Sequence, residues 1–173
     1  MKKVTEQLLS PAVFFDRDGV LNVDKAYLYK IEELEWIDGA KAAVAYLTQK
    51  GYRIFVVTNQ SGIARGYYSV DAMHQLHQVM TAELAEAGGK VEKFYYCPHL
   101  STGTVAEYAI ACTCRKPQPG LLLQAFQEYQ LDKEQSFLIG DKDRDVASAV
   151  AAGIKGYLYT GGNLLTFVRS IVG

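Results

Sequence analysis

Two aspartates stand one residue apart in Asp16-Arg17-Asp18-Gly19-Val20, directly after the apolar run Pro11-Ala12-Val13-Phe14-Phe15. Carboxylates that close, at the end of a buried strand, repel each other unless a cation or an anion-binding network compensates. The other reading of the segment is a turn, which Asp and Gly both favour. A second polar cluster, Thr58-Asn59-Gln60-Ser61-Gly62-Ile63-Ala64-Arg65-Gly66, follows the run Tyr52 to Val57. Its hydroxyls, amides and glycine-permitted N–H groups could cradle an anion or simply form a polar loop. Arg115-Lys116-Pro117 offers either solvated charges or phosphate ligands. Gly140-Asp141-Lys142-Asp143-Arg144-Asp145 alternates acids with bases, again just after an apolar run, and would by itself pass for a self-compensating turn. A single crevice accounts for all four clusters together, whereas the bland readings must account for each one separately.

The chemistry such a set suits is phosphoryl transfer. Hydrolysis of phosphate monoesters is among the slowest uncatalysed reactions. It needs a placed nucleophile, neutralisation of charge and a proton donor. A carboxylate can attack phosphorus and form an acyl phosphate that water then cleaves. A hard cation such as Mg²⁺, held by a few carboxylates, offsets the repulsion between carboxylate and phosphate.

A second constellation lies between these clusters. Cys97-Pro98-His99 is followed, after twelve residues, by Cys112-Thr113-Cys114. Three thiols and an imidazole make a complete tetrahedral Zn²⁺ set, and four protein ligands leave no open position, so the expected zinc is structural. The chain's only cysteines fall within these eighteen residues. Buried free thiols are the alternative. A zinc loop over residues 97–114 would fix the position of Arg115 and Lys116, which follow it at once.

The elements that must position these residues alternate. Residues 11–15, 52–57, 91–96, 136–140 and 156–159 read as strands, most of them continuously apolar. Between them, Asp38 caps a helix carrying Ala40, Ala43, Val44 and Leu47, and Ser69 caps one carrying Met73, Leu76, Met80 and Leu84. Pro119 suits the first turn of a third helix, and an alanine-rich helix runs to Gly153. His74 and His77 are expected on a polar helix face. Such alternation predicts an α/β protein, a Rossmann-like parallel sheet with helices on both faces. Ligands of such sheets bind beyond the carboxyl ends of the strands, where all four polar clusters fall.

Asp16-x-Asp18-Gly19, Thr58, Lys116 and Asp141 resemble, in order and over nearly the whole chain, the signature elements of haloacid-dehalogenase-like phosphatases. The resemblance implies a nucleophile at Asp16 and a general acid/base at Asp18, with Thr58 and Lys116 stabilising the phosphoryl group. It also implies Mg²⁺ bound by Asp16, the Asp18 backbone carbonyl and Asp141, and a small or absent cap. Asp145 supports the metal site from behind or starts the following helix.

The zinc loop, the 59–66 segment, Arg115-Lys116-Pro117 and Gly140-Asp141-Lys142 narrow the resemblance to the D-glycero-D-manno-heptose 1,7-bisphosphate 7-phosphatases. This implies a Mg²⁺-dependent hydrolase, with structural Zn²⁺, that takes a small phosphorylated sugar. The positions implied to contact substrate are Asp24, Tyr27, Thr58, Asn59, Gln60, Ser61, Arg115, Lys116 and Lys142, with Arg115 on the sugar or its second phosphate. Histidinol-phosphate phosphatases share the framework and zinc loop and are the alternative enzyme. A zinc-stabilised phosphate-binding module is the non-enzymatic alternative. The stretch Tyr27-Leu28-Tyr29 departs from the family pattern in lacking a histidine after the tyrosine.

Composition bounds the rest. At 173 residues the chain is expected to form one phosphatase domain, 1–173, acting as a monomer. Lys and Arg number 18 against 19 Asp and Glu, a net charge of −1. That balance lacks the basic excess that nucleic-acid or anionic-membrane partners would call for. Lys2 and Lys3 are followed by Glu6 with no uninterrupted apolar stretch before Asp16, so no secretory signal is expected. The odd cysteine count does not suit a disulfide framework, and a cytoplasmic location is the expectation.

Overall fold

The structure, a computed structural model, describes residues 8–173; Lys2, Lys3 and Glu6 lie outside it. Strand β1 (Ala12–Phe15) has four residues, all buried. It pairs in parallel with β2 (Arg53–Asn59) on one side and β4 (Phe137–Gly140) on the other, so that Phe14 sits level with both Phe55 and Leu138. Strand β3 (Val91–Cys97) extends the sheet beyond β2, and β5 (Lys155–Leu158) beyond β4, giving the parallel order β3-β2-β1-β4-β5.

The apolar runs are continuous because both faces of the sheet are covered. Val13, Phe15, Ile54, Val56 and Ile139 face α1 (Ala40–Gln49), α2 (Val70–Glu86) and α5 (Leu164–Val172). Their neighbours Ala12, Phe14, Phe55, Val57 and Leu138 face α3 (Gly120–Glu128) and α4 (Asp143–Ala152). Alternation along the strand sends successive side chains to opposite faces. Phe14 and Phe55 stack with ring centroids 5.2 Å apart; truncating either to Ala would cost about 3–5 kcal/mol.

Most boundaries match the reading from sequence. Ser69 caps α2 by accepting from the Ala72 N–H at 3.0 Å, and Pro119 lies just before α3. Helix α1 differs: its cap is Gly39, with φ 78°, not Asp38. A Cβ on Gly39 would lie 2.4 Å from Asn163 Oδ1. That oxygen is engaged in capping α5 through the Thr166 N–H at 3.0 Å, while the Asp38 carbonyl accepts from the Leu164 N–H at 2.8 Å. The start of α1 is thus shaped by α5, a helix the sequence reading did not include. Its signal was present in Asn163 followed by Leu164, Val168 and Val172 at helical spacing.

Between β1 and α1, residues 16–39 carry only a short 3₁₀ turn, Ile31–Glu33, and isolated bridges from Asn22 to Asp18 and Trp36. This small insertion is the minimal cap. Among the described residues no helix is long and apolar enough to cross a membrane.

Candidate active site

Strand β1 hands over to Asp16, whose N–H still donates to the Ile139 carbonyl at 3.0 Å. The Asp16 carboxylate therefore starts from fixed backbone at the centre of the sheet. Its Oδ1 lies 2.7 Å from the Lys116 ammonium, which also meets Asp145 Oδ1 at 2.7 Å and donates to the Val57 carbonyl at 3.1 Å. Lys116 is buried, and Asn59 holds its backbone at both ends. The Lys116 N–H donates to Asn59 Oδ1 at 3.0 Å, and Asn59 Nδ2 donates to the Lys116 carbonyl at 3.3 Å. The Lys116–Pro117 peptide is cis.

Burial pushes the Asp16 carboxyl up to about 8; Lys116 opposes this, while Asp145 and Asp18 reinforce it. Burial alone would lower the Lys116 ammonium, but the charges of Asp16 and Asp145 outweigh it and the lysine stays protonated.

Asp18 is held through both oxygens. Its Oδ1 accepts from Arg17 Nη2 at 2.9 Å and Asn22 Nδ2 at 3.0 Å. Its Oδ2 accepts from Gln60 Nε2 at 3.1 Å, and the same amide donates to Thr58 Oγ1 at 2.8 Å. Thr58 is buried, and its hydroxyl accepts from the same Gln60 amide that donates to Asp18.

Asp16, Asp141 and Asp145 place carboxylate oxygens within 4.8 Å of one another. Asp141 Oδ1 is buried without a hydrogen-bond partner. Gly19, at φ 88°, lies so close that a Cβ there would sit 2.1 Å from Asp141 Oδ2. The site thus gathers four acids, Asp16, Asp18, Asp141 and Asp145, around two buried cations, Arg17 and Lys116. The acids outnumber these two buried cations by two, and the nearest further cation is the exposed Lys142, 3.8 Å from Asp141 Oδ2. A hard divalent cation on carboxylate oxygens fits that donor set.

A cleft of about 270 Å³ opens above these groups. Asp16, Asp18, Lys116 and Asp141 form its floor, and Asn59, Gln60 and Ser61 one wall. Asp24 and Tyr27 come from the small insertion, and Arg115 and Lys142 stand at the rim. Every predicted site residue outside the cysteine cluster lines it except Thr58. The reading did not single out Arg65, Tyr68 and Arg144, which line it too. Arg65 lies over the Tyr27 ring at 5.7 Å, and Tyr27 packs edge-on against Tyr67 at 4.8 Å.

His77 departs from its expected polar face. It is buried, stacked on Phe94 at 4.2 Å, with Nε2 3.1 Å from Arg17 Nη1. The signal was its place on the stripe of Met73, Leu76, Met80 and Leu84.

Beside the cleft, Cys97 at the end of β3 meets His99, Cys112 and Cys114 with ligand atoms all within 4.8 Å. No disulfide joins the three thiols. Cys114 and Cys97 lie 2.8 Å apart, and hydrogen bonding between them pulls Cys114 down to about 5 while pushing Cys97 up. The 113–120 turn folds back from this cluster through Gly120 N–H to the Thr113 carbonyl at 3.0 Å. The cluster therefore anchors the segment that delivers Lys116.

The model for HAD-hydrolase-like proteins matches residues 113–165. The D-glycero-beta-D-manno-heptose-1,7-bisphosphate 7-phosphatase of Rhodopseudomonas palustris is 41% identical over 94% of this chain and 90% of its own length. The chain belongs to the HAD-like heptose-bisphosphate phosphatase family. A further family member, from Pasteurella multocida, is 46% identical over 85% of this chain and 79% of its own. The crystal structure of D,D-heptose 1,7-bisphosphate phosphatase from B. bronchiseptica, complexed with magnesium and phosphate, superposes with a TM-score of 0.79 and 32% identity. It covers 92% of this chain and 86% of that one.

Proposed function

We propose that this chain hydrolyses the 7-phosphate of D-glycero-β-D-manno-heptose 1,7-bisphosphate through an aspartyl-phosphate intermediate on Asp16. The observation that carries the reaction is the pairing of Asp16 with Lys116 at 2.7 Å beside an Asp18 held 2.9–3.1 Å from its donors. One carboxylate is thereby aimed at phosphorus and the other kept apart for proton transfer.

An oxygen of Asp16 attacks phosphorus as the bond to the C7 oxygen breaks. Asp18 gives that oxygen its proton, then takes one from the water that cleaves the acyl phosphate. Lys116 and Thr58 stabilise the transferring phosphoryl oxygens. Asp16, the Asp18 carbonyl and Asp141 would hold Mg²⁺, which supplies positive charge against the phosphoryl oxygens when bound. The excess of acids over buried cations and the unpartnered Asp141 Oδ1 support that assignment. Cys97, His99, Cys112 and Cys114 would hold a structural Zn²⁺. This reading treats the chain as one phosphatase domain working as a monomer in the cytoplasm.

The relatives' names support the sugar, and the rim supports a bisphosphate. Arg65, Arg115, Lys142 and Arg144 all face the cleft beyond Lys116, with Asp24, Tyr27, Asn59, Gln60 and Ser61 around the sugar. Four cations would receive a second phosphate but would repel the ammonium of histidinol phosphate. The test is kcat/KM on both anomers of the heptose bisphosphate and on histidinol phosphate, with Asp16→Asn as control. The β anomer should lead, and Asn at position 16 should cost about 10³-fold or more. Comparable rates on all three substrates would remove the heptose assignment, and full turnover by the variant would remove the covalent mechanism.

A further inference from the structure

We propose that Tyr68 and Arg17 are positioning residues that tie the orientation of the Asp18 carboxylate to the 24–29 loop. The proposal rests on the reading of Asp18 as the proton donor to the leaving group. Asn22 donates to Oδ1 directly. Beyond it, each oxygen of Asp18 is reached through a buried intermediary, Arg17 at Oδ1 and Gln60 at Oδ2. Both of these routes end on neighbouring residues of that loop.

The first arm runs through Arg17. Its Nη2 donates to Asp18 Oδ1 at 2.9 Å and to the Leu28 carbonyl at 3.0 Å. Its Nη1 lies 3.1 Å from His77 Nε2, so the guanidinium is pinned from α2 as well. At 1% exposure Arg17 cannot touch substrate. The second arm runs through Gln60, 2% exposed. The Tyr68 hydroxyl donates to Gln60 Oε1 at 2.5 Å, and Gln60 Nε2 then faces Asp18 Oδ2 and Thr58 Oγ1. The Tyr68 ring stacks on Tyr29 at 5.2 Å and 14°. Leu28 and Tyr29 are thus the far ends of the two arms.

The chemistry explains why this matters. An amide has a donor side and an acceptor side, and with or without its proton Asp18 needs the donor side at an Oδ2 lone pair. Tyr68 occupies Oε1 and leaves the NH₂ group for Asp18. Burial pushes the Tyr68 phenol up to about 12, so it keeps the proton it donates. Without that hydroxyl the Gln60 amide is held from one end only, and Asp18 loses a fixed partner at the oxygen nearer Thr58. A loop drawn in by substrate would pull on both arms at once and set the acid in place.

Leaving-group dependence tests this, because an acid matters most when the departing oxygen is a poor leaving group. The holoenzyme and Tyr68→Phe are compared on phenyl phosphate and p-nitrophenyl phosphate, neither of which contains a sugar. On phenyl phosphate kcat/KM should fall about tenfold, and on p-nitrophenyl phosphate about twofold or less. Arg17→Lys, which keeps the charge but not the fork, should show the same pattern independently. Tyr68→Phe/Gln60→Leu should be no slower than Gln60→Leu alone, since Tyr68 acts through Gln60. Equal losses on the two substrates, no loss, or additive losses would overturn the proposal. Turnover of both aryl phosphates without turnover of the heptose bisphosphate would remove the substrate reading only. Turnover of neither the aryl phosphates nor the heptose bisphosphate would remove the phosphatase reading and this proposal with it.

Discussion

Lys116 and Asp16, 100 residues apart in the chain, meet at 2.7 Å in the interior. The same ammonium meets Asp145 at 2.7 Å, so one cation is shared by two buried acids. Removing it leaves both carboxylates uncompensated. Lys116→Met should lower kcat by about 10²–10³-fold and stability at neutral pH by about 3–5 kcal/mol. Burial pushes the Asp16 carboxyl up and the lysine opposes this. Without the lysine Asp16 takes up its proton more readily, so the stability deficit should shrink as pH falls. Urea unfolding of both proteins at pH 7.5 and 5.5 checks the sign; a deficit that grows toward acid would refute the shared-cation account.

Gly19 carries a second prediction. Its φ of 88° disfavours any side chain, and a Cβ would stand 2.1 Å from Asp141 Oδ2. Gly19→Ala should therefore displace Asp141 from the carboxylate cluster. The expected result is a folded protein whose Mg²⁺ requirement for half-maximal activity rises about tenfold or more. An unchanged Mg²⁺ titration would mean that Asp141 is not a ligand.

The cysteine cluster predicts about one zinc per chain by elemental analysis. Cys112→Ala should lose the metal and lower the melting temperature, because binding free energy at such a site is folding free energy. Phosphatase activity should fall with it, since the cluster anchors the turn that carries Lys116. A variant that kept both zinc content and melting temperature would disprove the structural role.

His77 gives a pH prediction. Burial, with help from the Arg17 and His74 charges, holds its imidazole well below its ordinary value of 6.5. The unfolded chain therefore binds a proton near pH 6.5 that the folded chain refuses. Stability from this residue is intact above that pH and is lost as pH falls below it. His77→Gln keeps a hydrogen-bond acceptor for Arg17 but cannot titrate, so its urea midpoint should fall less between pH 7.5 and 5.5. Parallel slopes for the two proteins would count against the assignment.

How far the site could be read beforehand depended on where each residue's partner lies. Asp16, Thr58 and Asp141 stand at the ends of apolar strands, and strand ends are marked locally by a change from apolar to polar. Cys97, His99, Cys112 and Cys114 are rare residue types in one segment. Tyr68 carries no such mark and His77 only its place on an apolar helix stripe, because their roles arise from contacts with Gln60 and Arg17 that only the folded sheet creates. Asp38 was misplaced as a cap for the same reason: Asn163, 125 residues later in the chain, decides the turn beside it.

The strand order has a consequence for the chain as it is made. Asp16, Asp18 and Thr58 belong to β1, β2 and their loops, whereas Lys116, Asp141 and Asp145 belong to the segments leading into α3 and following β4. The central strand is synthesised first but acquires its second neighbour only when β4 emerges. A nascent chain halted before residue 116 holds Asp16 and Asp18 without Lys116, and one halted between Lys116 and the end of β4 still lacks Asp141 and Asp145. The proposed hydrolytic site is therefore complete in composition only once the chain has passed β4.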